Sequence, residues 1–137
     1  MNRRPRREND LAWGEKGQAL VELALALPVL VVLLLGILEF GMLLSVYLTV
    51  EHAAREGARV GATGAGDEAI VDRVIASCPG LDPSRLEVLI TPPASSRFTG
   101  GLLEVTVRFA YRPVVGLFEP LLGHLFLVER RVCMRIE

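Results

Sequence analysis

The stretch Gln18–Val50, QALVELALALPVLVVLLLGILEFGMLLSVYLTV, decides the architecture: apart from Glu22 and Glu39 it is almost unbroken apolar sequence, and a basic leader precedes it. As a helix the run measures roughly 50 Å, whereas a hydrocarbon core of about 30 Å takes only about 20 residues. Lipid can cover only part of it, so the stretch from Phe40 to Val50 must bury an apolar face on protein. Between Leu23 and Phe40 the Leu, Ile, Val and Phe residues sum to roughly −6 kcal/mol on an insertion scale, against about +3 kcal/mol for one acidic residue at the centre. Insertion is therefore favoured. Glu22 and Glu39 fall roughly 25 Å apart along a helix, so they can occupy opposite interfaces of one bilayer. Pro28 removes a backbone donor inside the run and predicts a bend, with Gly36 and Gly41 loosening the helix further.

Working outward, the leader carries Arg3, Arg4, Arg6, Arg7 and Lys16, while the comparable stretch after the run offers Arg55 and Arg59. The positive-inside bias then keeps the N-terminus in the cytoplasm and exports the C-terminal part. Ala24-Leu25-Ala26 has the small-x-small look of a secretory cleavage site, but most of the apolar run follows it, so an ordinary removable signal is not expected. With 137 residues in all, about 75 remain beyond the run for one small domain. The expected organisation is a leader over 1–17, a long helix over 18–63 that spans the membrane in its first part, and an exported α+β domain over 64–137. A net charge of −1 gives no electrostatic footprint for nucleic acid.

Beyond Val50 the pattern changes to EHAAREGARVGAT, with Ala53, Gly57 and Gly61 on one line of a helix and Ala54, Ala58 and Ala62 beside it. Such a small-residue stripe admits close approach of another element, either the chain's own domain or a second subunit. Glu51 and Arg55 form an i,i+4 pair on the polar side. Thr63-Gly64-Ala65-Gly66 ends this helix, and Asp67 is placed to cap a second one running to about Ser77, with Ile70, Val71, Val74, Ile75 and Cys78 inward. Alternation then predicts strands over Leu86–Ile90, Leu102–Tyr111 and Phe126–Ile136, an antiparallel meander whose Pro- or Gly-rich connections are Thr91–Gly101 and Pro113–His124. Their inward residues are Leu103, Val105, Val107, Phe109 and Tyr111 in the second, and Phe126, Val128, Val132, Met134 and Ile136 in the third. The connection Pro113–His124 is unusually apolar and is expected to pack on a neighbour or against the membrane surface. The fold class is α+β: a long N-terminal transmembrane helix, a short helix and a small three-stranded antiparallel sheet.

Function is carried by the leader junction. Gly17 precedes Gln18-Ala19-Leu20-Val21-Glu22, and Gly17 is the one glycine of the chain followed five residues later by glutamate. This junction resembles that of the type IV prepilins, which implies that Gly17 offers a peptidase an unhindered backbone and that Glu22 sets a negative charge near the amine that cleavage would create on Gln18. A carboxylate at that depth is costly unless paired; the bland alternative is a residue snorkelling at the interface. The stretch GQALVELALALPVLVVLLLGILEFG from Gly17 to Gly41, with AAREGAR from Ala53 to Arg59, more specifically resembles the TadE-like pseudopilins of tight-adherence (Flp) pilus assembly, with Pro28 and the set Gly36, Glu39, Phe40 and Gly41 separating it from a general prepilin match. The resemblance implies a minor, pilin-like protein of the bacterial inner membrane, cut between Gly17 and Gln18 by a prepilin peptidase. Its implied partners are other pilins or pseudopilins and the inner-membrane pilus platform. It also implies that Glu22 pairs with the N-terminal amine of an adjacent subunit, and that Glu39 contacts another subunit unless it faces water or its own domain. An uncleaved, signal-anchored periplasmic accessory or binding protein is the alternative.

Cys78 and Cys133 leave one disulfide or two free thiols. Export favours the bridge, but Cys133 falls on the strand face of Glu129, Arg131 and Arg135, away from Val132 and Met134. His52 and His124 have no acidic or cysteine neighbour at metal-ligand spacing, and no serine sits in a nucleophile elbow, so neither an enzyme nor a cofactor is expected.

Overall fold

A computed structural model describes residues 8–114, 116, 120 and 127–137. The start of the leader, the expected strand residue Phe126, His124 and most of the Pro113–His124 connection lie outside the described residues. Helix α1 runs Glu8–Ala62 and is continuous through Pro28. α2 follows at Asp67–Ala76. A 3-10 turn at Pro83–Arg85, held by Asp82 accepting from the Ser84 backbone, leads into β1, Leu86–Thr91. β2 is Leu102–Ala110 and β3 is Leu127–Arg135, and the sheet order β1-β2-β3 is the antiparallel meander expected.

The chain divides into two compact units between Leu38 and Glu39. In the first unit the apolar side chains point outward, Leu20 to Leu38 being exposed almost without exception. A helix apolar all round with nothing packed on it is built for lipid, not water. In the second unit the remainder of α1 belongs with the domain. It buries Val50, Ala53, Ala54 and Ala58, with Leu43, Val46 and Val60 partly covered, so the excess of the apolar run is indeed packed on protein along one face.

The small-residue stripe explains how closely that face is packed. A Cβ at Gly57 would come 2.6 Å from Val74 Cγ2, and one at Gly61 would come 2.1 Å from Leu103 Cδ2 and 2.9 Å from Ile70 Cδ1. The stripe is therefore occupied by α2 and β2 of the same chain, the first of the two readings open in the sequence. Gly64, with φ near +82°, and bonds from the Thr63 and Gly64 amides to the Val60 and Gly61 carbonyls terminate α1. α2 is capped by the Gly66 backbone and not by the Asp67 side chain. Asp67 sits in the first turn, where its charge suits the helix dipole, and pairs with Arg97. Ile70 and Val74 of α2, and Cys78 just beyond it, are buried as expected, whereas Val71 is half-buried and Ile75 exposed. Glu56 of α1 accepts from Arg59 at 2.9 Å and from Arg73 of α2 at 2.7 Å. These guanidiniums, Arg59 first, hold its carboxyl down at about 2.

β2 places Leu103, Val105, Val107 and Phe109 against the helices, followed by Tyr111, as its alternation indicates. On β3 the inward set is Val128, Val132, Met134 and, just beyond the strand, Ile136, but Arg130 shares this face. Its guanidinium stacks 3.7 Å from the centre of the Tyr47 ring, which shields the stem and leaves the Nε without a hydrogen-bond partner. The outer face is a charged lattice in which Arg108 meets Glu129 at 2.6 Å and Glu87 at 3.5 Å, and Arg131 meets Glu104 at 3.5 Å. Cross-strand pairing of opposite charges keeps this solvated face in register.

The Cys78–Cys133 bridge offered by the sequence is not formed: both thiols are free, Cys78 buried in the core and Cys133 exposed on the outer sheet face opposite Glu104. The face assignment of Cys133 outweighs the compartment expectation. Burial raises the Cys78 thiol, and Cys133 is raised by its surroundings and by Glu104, whose carboxylate accepts from its Sγ at 3.4 Å. Maleimide labelling of the folded, unreduced protein should thus modify Cys133 alone, with Cys78 reacting only after denaturation; failure to label Cys133 without a reductant would show it oxidised.

Candidate functional site

The leader junction and the two glutamates lie on α1. Gly17 is exposed, and among the described residues no atom beyond its chain neighbours and its own helix backbone comes within 4 Å of where a Cβ would stand. Its backbone is helical, as is that of Gln18. Cleavage would require this turn to open, which an exposed turn without tertiary contacts allows. Glu22 is also exposed, flanked by the outward apolar side chains of Leu20, Val21, Leu23 and Leu25. Among the described side chains of the monomer, none forms an ion pair with it.

Glu39 is placed quite differently. It opens the second unit and is 3% exposed. Tyr111 donates its hydroxyl to Oε1 at 2.5 Å, and the Val114 backbone N–H donates to Oε1 and Oε2 at 3.2 and 3.1 Å. Burial, then the adjoining Glu39 carboxylate, push the Tyr111 hydroxyl up to about 12. Of the alternatives open for Glu39 in the sequence, the structure realises the contact with its own domain. The signal available beforehand was small: Tyr111 ends an inward-facing alternation, but its meeting with a residue 72 positions away is a product of the fold. α1 and β2 run antiparallel, so that Gly61 meets Leu103 at one end and Glu39 meets Tyr111 at the other.

Ser45, Ser77 and His52 share an open cleft of about 540 Å³ with Arg73. No hydrogen bond joins either serine to the histidine among the described residues, and no group of three His, Cys, Asp or Glu side chains is placed to hold a metal ion there.

These features define a class: an α+β protein with one helix long and apolar enough to cross a membrane, located in Gly17–Ala62, and a compact domain built on the end of that helix. Residues 17–59 match the family model described as TadE-like protein. That segment is less than half of the chain, and over it the sequence is similar to the TadE-like proteins of the tight-adherence pilus system. No curated protein and no solved structure matches it. The matched segment contains Gly17, Glu22, Glu39 and the first part of the small-residue stripe, Ala53, Ala54, Gly57 and Ala58, and stops short of Gly61, α2 and the sheet.

Proposed function

We infer that the protein is a minor pilin-like subunit, anchored in the bacterial inner membrane with its N-terminus cytoplasmic and its α+β domain periplasmic, that acts in assembling or secreting a tight-adherence pilus. One observation carries this reading: the TadE-like match begins at Gly17 itself, the glycine that stands between basic leader and apolar helix five residues before Glu22. A prepilin peptidase cuts between Gly17 and Gln18 on the cytoplasmic side. Glu22 then finds the amine of an adjacent subunit, and its charge sets the register of assembly. The proposed role is structural and not catalytic.

The test is the mature terminus. Mass spectrometry of protein extracted from membranes of the native host should show loss of residues 1–17, and Gly17→Val should retain them, because a branched side chain obstructs the peptidase at the scissile carbonyl. A full-length chain in a strain with active peptidase would instead support the uncleaved accessory protein.

A further inference from the structure

The end of the domain that holds Glu39 exposes apolar side chains. Val114 is 73% exposed and Leu127 57% exposed. Leu127 pairs with Ala110 at the end of the sheet from which Tyr111 and Val114 continue. Exposed Arg112 lies between those two residues. The depth of this edge is set by a hydrogen bond. The Val114 amide reaches the carboxylate of Glu39, and Glu39 follows Leu38, the last residue of the outward-facing apolar unit, by one helical step of about 1.5 Å. If Leu38 is at the outer boundary of the hydrocarbon, the backbone of Val114 is within a side chain's length of the same boundary.

We propose that the edge formed by Tyr111–Val114 and Leu127 rests in the outer membrane–water boundary of the same bilayer that α1 crosses, with Val114 and Leu127 against acyl chains and Arg112 reaching the lipid phosphates. The occupant is lipid because Glu39, which holds the Val114 amide, directly follows Leu38, the last residue of the outward-facing apolar unit. This inference rests on α1 as a membrane span and is independent of the pilus reading. It also accounts for the burial of a glutamate at this point. Non-helical backbone at membrane depth cannot rely on water for its donors. Glu39 accepts from the Val114 amide and the Tyr111 hydroxyl, so the strand end can lie against lipid without leaving either donor unsatisfied. Arg112, with a long apolar stem and a charged tip, suits a position between acyl chains and phosphate.

The opposite end of the domain provides an internal control. Leu102 and Phe98 are 68% and 69% exposed, and Leu102 starts β2, roughly 26 Å along the strand from Ala110. The full chain, with its one tryptophan removed as Trp13→Phe, would be reconstituted in vesicles of phosphatidylethanolamine and phosphatidylglycerol carrying brominated acyl chains. Single tryptophans would be placed by Val114→Trp, Leu127→Trp, Leu102→Trp and Phe98→Trp, all at exposed positions. Brominated lipid should quench the fluorescence at 114 and 127 roughly twofold or more above that at 98 and 102, as expected for aromatic rings at the interface. Aqueous acrylamide should show the reverse order. Equal quenching at all four positions by acrylamide would overturn the proposal, as would tryptophans at 114 and 127 shielded from both quenchers, which would mean that protein covers the edge.

Discussion

Glu22→Ala is expected to be cleaved and inserted like the parent and yet to abolish pilus formation, together with co-purification of the pilin partners. The expectation follows from the position of the charge. Glu22 stands on an outward-facing apolar helix with Leu20, Val21, Leu23 and Leu25 around it, and an acidic residue deep in a span costs up to about 3 kcal/mol on the insertion scale. Removing it should ease insertion, so a variant that fails in assembly fails for want of the charge and not of the anchor. The partner proposed here is the amine exposed on Gln18 of an adjacent subunit, and a carboxylate–ammonium pair in a low-dielectric setting is worth far more than one in water. Glu22→Asp, keeping the charge with a shorter reach, should give intermediate piliation. Piliation counted by electron microscopy in a complemented deletion strain decides; normal pili from Glu22→Ala would remove the charge-pairing mechanism.

How far the sequence could be read depended on whether a feature was local or assembled by the fold. The long helix, the short helix and the meander were legible because each rests on a run of one periodicity: apolar continuity over Gln18–Val50 with small residues at helical spacing from Ala53, apolar residues at helical spacing from Ile70, and alternation over Leu103–Tyr111. The strand ends shifted by a residue, as at Thr91, Ala110 and Arg135, because the last ladder partner depends on the neighbouring strand. Arg130 escaped the alternation because the pattern of Val128, Val132 and Met134 reads smoothly past it. Its inward position is tolerated through Tyr47, on a different element. Asp67 looked like a cap by residue type, but the Gly66 backbone takes that place while Asp67 turns to Arg97. At the candidate site, Gly17 and Glu22 are sequence-local and could be named at once. The partners of Glu39 could not, since a carboxylate in an apolar helix has no internal sign of whether its donors come from a second subunit or from its own sheet.

The small-residue stripe gives the other large effect, on folding and not on assembly. Gly61→Val should destabilise the domain by about 3 kcal/mol, the upper part of the range for inserting atoms into a close-packed core. The Cβ alone would stand 2.1 Å from Leu103 Cδ2 and 2.9 Å from Ile70 Cδ1. Both neighbours are fully buried, so neither can swing into solvent. The γ-methyls of valine add to the overlap, and α1 or β2 must move. Gly41→Ala offers the contrast: it meets nothing within 4 Å, so the better helix propensity of alanine should leave the isolated protein unchanged or more stable by up to about 1 kcal/mol. Thermal unfolding of the two variants in detergent, followed by near-ultraviolet circular dichroism, separates them. If Gly61→Val melted with the parent, α1 would not be seated on Leu103 and Ile70 as described, and the stripe would be free to meet a second subunit. If both variants kept the parent's stability but Gly41→Ala alone lost piliation, close approach by another subunit would belong to the stretch of α1 near Glu39 and not to the stripe.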